Sequence, residues 1–112
     1  MKKVYSKHFP LKGYIAITLF GIVFIRKEYK WRFNKVVENH EKIHFKQQIE
    51  MLFIFFFLWY AIEYLIRLVI YKNHKKAYKS ISFEKEAYTF QKISDYSRIR
   101  PLYSWTQFVF KK

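Results

Sequence analysis

Between Met51 and Tyr71 the chain reads MLFIFFFLWYAIEYLIRLVIY, and any fold it adopts must find cover for this run. No residue from Leu52 to Ile62 is charged, and the first two charges, Glu63 and Arg67, stand four apart, the spacing of a helix-surface ion pair. At about 1.5 Å per residue, a helix over these positions is long enough to cross roughly 30 Å of hydrocarbon. The two charges argue against a lone lipid-exposed span, because each would cost about 2.5–3.5 kcal/mol near the bilayer centre. Flanking charge sets no orientation, since Lys35, Lys42 and Lys46 on one side are matched by Lys72, Lys75, Lys76 and Lys79 on the other.

The rest of the composition narrows what covers the run. The 112 residues suffice for one small domain, and they combine 52% hydrophobic and 23% aromatic content with a net charge of +14. That charge admits nucleic acid and anionic lipid alike. Nucleic-acid modules interleave basic and aromatic residues, whereas here the apolar content is concentrated in one stretch, so anionic membrane lipid is the favoured partner and specific nucleic-acid binding the weaker reading. Pairing of two copies into a homo-oligomer is another way to hide the same surface. No cysteine is present, which excludes disulfides, thiolate metal sites and cysteine nucleophiles. The basic N-terminus is followed by no signal-type segment, so the expected location is the cytoplasmic face of the cell membrane.

Two glycines and two prolines punctuate the chain. Residues 1–13 read as a basic leader closed by Pro10 and Gly13. The segment 14–26, YIAITLFGIVFIRK without its last lysine, is β-branched and aromatic and predicts extended structure over Ile15 to Phe20 and Ile22 to Arg26, with Gly21 at a bulge or bend. Asn34 is a candidate N-cap for a helix that runs through 34–72 without a breaker. A further helix over 80–96 starts near Ser80 or Ser82, where SFEKE resembles a capping arrangement. Residues 97–112 form a basic, aromatic tail. The expected fold class is α+β: a short hairpin or edge strands followed by a mostly helical, membrane-associated domain.

The chemistry is concentrated in ENHEKIH. His40, Glu41 and His44 form H-E-x-x-H, and four-residue spacing projects both imidazoles from one helix face, where they can take two corners of a tetrahedral zinc site. Glu41 is offset around the helix, in position to act on a metal-bound water without ligating. Chance produces such a match in about one chain in a hundred of this composition, so context decides. A catalytic zinc needs a third ligand, and Glu84 in SFEKEAY supplies one from a separate predicted helix. His74 is a further candidate, able to polarise a substrate carbonyl. Arg98 and Arg100 fit contact with lipid phosphate better than an oxyanion role.

H-E-x-x-H followed by S-F-E-x-x-A resembles the gluzincin metallopeptidases, in particular membrane-associated members such as the CAAX prenyl endopeptidases, in which the first glutamate of E-x-x-A-D is the third zinc ligand. The resemblance implies zinc held by His40, His44 and Glu84, with Glu41 as the catalytic base and a peptide or protein as substrate; the alternative is a non-catalytic basic membrane protein that scaffolds or modulates a partner, with Glu63 and Arg67 as its structural pair. Ala87 matches the family pattern, while Tyr88 stands where the family has the aspartate that orients a ligand histidine, and so would have to take over that role. Glu86 is the alternative third ligand. The strand-like AITLFGIVFI and the HFKQQ that ends the motif resemble small gluzincin-like domains with H-E-x-x-H-x-x-Q-Q. In gluzincins an edge strand beside the zinc helix holds extended substrate, a role that falls here to Ile15–Phe24.

The zinc site and a clean single span are nearly incompatible, because a crossing from Met51 to Tyr71 would leave His44 and Glu84 on opposite sides of the membrane. The site therefore requires the apolar run to bend back, around Trp59 to Ala61, or a long helix to lie along the protein with the downstream segment returning beside it.

Overall fold

The computed structural model describes residues 2–10 and 13–109. It is α+β, with a three-stranded sheet at the N-terminal end and helices after it. Strands β2 (Ala16–Leu19) and β3 (Ile22–Arg26) form the expected hairpin. Phe20 and Gly21, both at positive φ, make its two-residue turn, tighter than the expected bulge or bend. Gly21 also sits against the helix that carries Phe45, where an added Cβ would come within 3.0 Å of the Phe45 ring.

The leader departs from expectation. Lys2–Ser6 forms β1, parallel to β3 with Lys2 opposite Ile22, giving the order β1-β3-β2. A short polar stretch carries no strand signal of its own; the unsatisfied edge of β3 supplies the hydrogen bonds that hold it. The sheet buries Thr18, Val23 and Ile25, and β2 lies beside α1 (Lys35–Glu50). As expected, Asn34 caps α1, its side chain accepting from the Val37 N–H at 3.0 Å.

The continuous helix expected over 34–72 is broken. α1 ends at Glu50, and α2 (Ile54–Tyr71) begins after a corner in which Leu52 and Phe53 take φ of 53° and 58°. No glycine or proline marks this corner, and two non-glycine residues at positive φ cost about 1–3 kcal/mol each. Packing offsets the cost: Phe53 and Phe57 close on Phe20, and Phe56 sits in a cluster with Ile81, Phe83 and Trp105. The bend therefore lies at Leu52–Phe53 and not at Trp59–Ala61.

Beyond Tyr71, α3 (His74–Ser80) returns along α2, and α4 (Ser82–Phe90) follows after a break at Ile81. The single 80–96 helix is thus two elements, α4 and the short α5 (Tyr96–Ile99). Ser82 is the first helical residue of α4 and not its cap. Its N–H and hydroxyl donate to Glu63 of α2, at 2.7 and 2.6 Å, so a buried carboxylate from another helix does the capping. Glu63 also pairs with Arg67 at 3.5 Å, as their spacing implied. The tail is structural as well: Trp105 and Phe108 are buried.

Candidate metal centre

α1 presents its polar residues to the protein interior. Asn39, His40, Glu41, His44, Gln47 and Gln48 are all buried, facing β2 on one side and α4 on the other. Such a face is stable only if each polar group finds a partner, and the partners define the site.

His40, His44 and Glu84 come together, all buried. His44 Nε2 lies 3.1 Å from His40 Nε2 and 3.0 Å from Glu84 Oε1, and His40 Nε2 is 3.2 Å from the same oxygen. Ligands bound to one tetrahedral ion at about 2.0–2.1 Å stand roughly 3.3 Å apart, so the three atoms are spaced as donors to a single cation.

The outer contacts turn lone pairs inward. His44 Nδ1 donates to Gln47 Oε1 at 2.8 Å. The Gln47 amide cannot be reversed, because its nitrogen donates to Phe83 O at 3.0 Å and to Glu86 Oε1 at 2.9 Å. His40 Nδ1 pairs with Gln91 Oε1 at 2.8 Å, and Asn39 holds that turn by donating to the carbonyls of Gln91 and Ile93 at 2.7 Å each. With both Nδ1 atoms protonated, neutral imidazoles offer only acceptor Nε2 atoms to the centre. Glu84 adds a third acceptor through Oε1, while its Oε2 accepts from the Tyr60 hydroxyl at 2.7 Å. Three acceptors converging in a buried space require a positive charge among them, and the group is fit to hold a metal ion.

The electrostatics agree. Burial opposes a charge on His44, yet the Glu84 carboxylate overrides it and raises the imidazole to about 9. Burial likewise opposes ionisation of Glu84, and the two imidazoles overcome it, holding its carboxyl well below the usual range. Glu41 differs: burial pushes its carboxyl up, against the pull of His44, His40 and the Thr18 hydroxyl, which donates to Glu41 Oε1 at 2.7 Å. Glu41 stands outside the three-donor group, with His44 and Glu84 on the wall of a cavity of about 400 Å³ that Phe9, Ile17, Leu19 and Phe57 also line.

The other expected residues are placed as follows. Tyr88 packs edge-on against the His40 ring, centroids 4.5 Å apart, and the hydrogen bond expected of Tyr88 at that imidazole is made by Gln91. Glu86 is not beside the histidines. It forms a bidentate pair with Arg100 at 2.7 and 2.8 Å and accepts from Gln47, Tyr96 and Ser104, so it anchors the amide that orients His44. Arg100 is correspondingly enclosed between Glu86 and Glu50 and unavailable to lipid phosphate, whereas Arg98 is exposed beside Asp95. His74 lines the same cavity, with its nitrogens against the Tyr14 and Tyr64 hydroxyls. Sequence reasoning missed the roles of Tyr60, Gln91 and Thr18. Gln47, one turn after His44 on the same face, differs from these three in having a local signal.

Comparison with known family models, with curated proteins and with solved structures finds no match to this chain.

Proposed function

We propose that His40, His44 and Glu84 hold a zinc ion and that the chain hydrolyses peptide bonds, with Glu41 as the general base. The observation that carries this reading is the convergence of three buried acceptor atoms, 3.0–3.2 Å apart, next to a carboxylate that is buried but not part of the group. Two imidazoles and a carboxylate are a donor set suited to zinc, which when bound would polarise a carbonyl and acidify water.

The chain's own groups fit the remaining tasks. Thr18 holds Glu41 Oε1, leaving Oε2 to take a proton from the attacking water and return it to the leaving amine. Burial raises the basicity of Glu41, the direction a general base needs. Tyr60 and Gln47 keep Glu84 and His44 in place.

Strand β2 supports a peptide as substrate. Arg26 N donates to Ile15 O at 3.0 Å, and the alternation of the ladder then turns the backbone groups of Ala16 and Thr18 away from β3. Gln48 takes up Thr18 O and Phe20 N, at 2.7 and 3.2 Å. Among the described residues, Ala16 N–H and C=O and Thr18 N–H meet no other partner, on an edge that borders the cavity, where an extended peptide can add a strand and place a bulky apolar side chain.

Metal analysis of the purified protein tests the reading: about one zinc per chain is expected, and the double variant His40→Ala with His44→Ala loses it. Glu41→Gln keeps zinc but loses cleavage of a mixed peptide library, whereas Glu84→Gln loses affinity for zinc as well. Zinc retained by the double histidine variant, or peptide cleavage retained by Glu41→Gln, overturns the assignment.

A further inference from the structure

α2 is amphipathic in the reverse sense for a helix facing water. Its inward side carries polar residues: Tyr60 bonds Glu84, Glu63 bonds Ser82, Tyr64 meets His74, and Arg67 donates to Val109 O and pairs with Glu63. Its outward side carries none, because every exposed position from Ile54 to Ile70 is apolar, Phe55, Leu58, Ile62, Leu65, Ile66 and Val69 among them. At about 100° per residue these positions fill one half of the helix circumference along a length of roughly 27 Å. A face that large and uninterrupted needs an apolar partner.

The charge distribution selects the partner. Of the eight acidic residues, Glu41, Glu50, Glu63, Glu84 and Glu86 have enclosed carboxylates. The other three, Glu38, Glu28 and Asp95, pair with Lys3, Arg26 and Arg98. Against them stand 22 Lys and Arg, so the outside of the protein is cationic. Exposed lysines lie near both ends of the apolar face, Lys46 one turn before Ile49 at one end and Lys72, Lys75 and Lys76 at the other. Two copies at +14 repel each other, and nucleic acid offers nothing to the apolar stripe. An anionic bilayer meets both demands.

The return of the chain fixes the orientation. α3 packs along α2, and Ser82 is hydrogen-bonded to Glu63 near the middle of that helix. α2 cannot cross alone while α3, with its lysines, stays beside it. We propose that the outer face of α2 lies flat in the headgroup–acyl boundary of an anionic bilayer. This docking does not depend on the metal site.

Vesicle flotation tests it, using the full chain with neutral phosphatidylcholine vesicles and with vesicles containing about 30% phosphatidylglycerol. The expected result is flotation with the anionic vesicles, weakened by salt and much lower with neutral ones. The variant Leu65→Glu with Val69→Glu, both at exposed positions, should reduce it at least about tenfold with far-ultraviolet circular dichroism unchanged, while His40→Ala with His44→Ala floats as the wild type does. Because the chain has no cysteine, single spin labels at Leu58 and Val69 report depth. A flat helix puts both labels at similar shallow depths, whereas a span separates them by about 16 Å along the helix axis. Unchanged flotation of the glutamate variant, a lipid-free dimer that this variant dissociates, nucleic-acid binding lost in the same variant, or labels at depths differing by about 16 Å would each overturn the proposal.

Discussion

Gln47 connects the candidate metal centre to the buried ion-pair network, and the variant Gln47→Met isolates that connection. Methionine keeps the approximate length and volume but can neither accept from His44 Nδ1 nor donate to Phe83 O and Glu86 Oε1, contacts of 2.8, 3.0 and 2.9 Å. Glu86 retains Arg100, Tyr96 and Ser104 and loses little. The Phe83 carbonyl keeps its intrahelical bond within α4, so the group left unpaired in a buried setting is the His44 Nδ1–H, at about 1–3 kcal/mol. For a chain of 112 residues, where 1 kcal/mol shifts Tm by about 4 °C, this is a fall of roughly 4–12 °C. Freed from its acceptor, His44 can turn or change tautomer, so zinc affinity should drop about 10–100-fold. Thermal melts with and without zinc, together with competition against a chelator of known affinity, measure the two effects. Zinc affinity within twofold of the wild type and a Tm shift under about 2 °C would refute the reasoning that Gln47 orients the ligand. A large Tm loss at unchanged affinity would confine Gln47 to stability.

Arg100→Met removes the cation shared by Glu86 and Glu50 and leaves two buried carboxylates, so a loss of about 3–5 kcal/mol in urea unfolding is expected, insensitive to salt. For the metal-free protein, the raised pKa of His44, about 9 against 6.5, gives stability that is present in full below pH 6.5 and lost as pH rises through 9; about 3 kcal/mol should disappear between urea melts at pH 6.5 and pH 10. The lowered pKa of Glu84 acts with the opposite sign, its contribution being present above the ordinary carboxylate range and lost in acid. Zinc replaces the proton, so zinc-loaded protein should lack the alkaline loss, and zinc uptake near neutral pH should release a proton detectable in weakly buffered solution. Lys72 closes α2 in the left-handed region at φ 53° and is exposed, so Lys72→Gly should stabilise by up to about 1 kcal/mol in the same urea assay.

What the sequence determined on its own is what depends on local periodicity. The four-residue spacing of His40 and His44 puts both imidazoles on one face wherever that helix lies, Asn34 starts the helix because its side chain reaches the Val37 N–H, and the β-branched residues around Gly21 make a hairpin. The choice of Glu84 as the third member of the group was also legible, from its place in SFEKEAY. The tertiary structure decided the rest because the competing terms act over long range. Leu52 and Phe53 adopt positive φ against their own preference, since the Phe20 ring and the Phe56–Phe83 cluster gain more by the turn than the backbone loses. Arg100, which reads as a lipid-facing cation, is instead drawn between Glu50 and Glu86, and Lys2–Ser6 becomes a strand only because β3 offers an open edge. In the same way, Tyr60 and Gln91 become partners of Glu84 and His40 only once α2 folds back and the turn after α4 closes over α1; a hydrogen bond needs its donor within about 3 Å of its acceptor, and no spacing in the sequence specifies which residue 24 or 51 positions away will meet that condition.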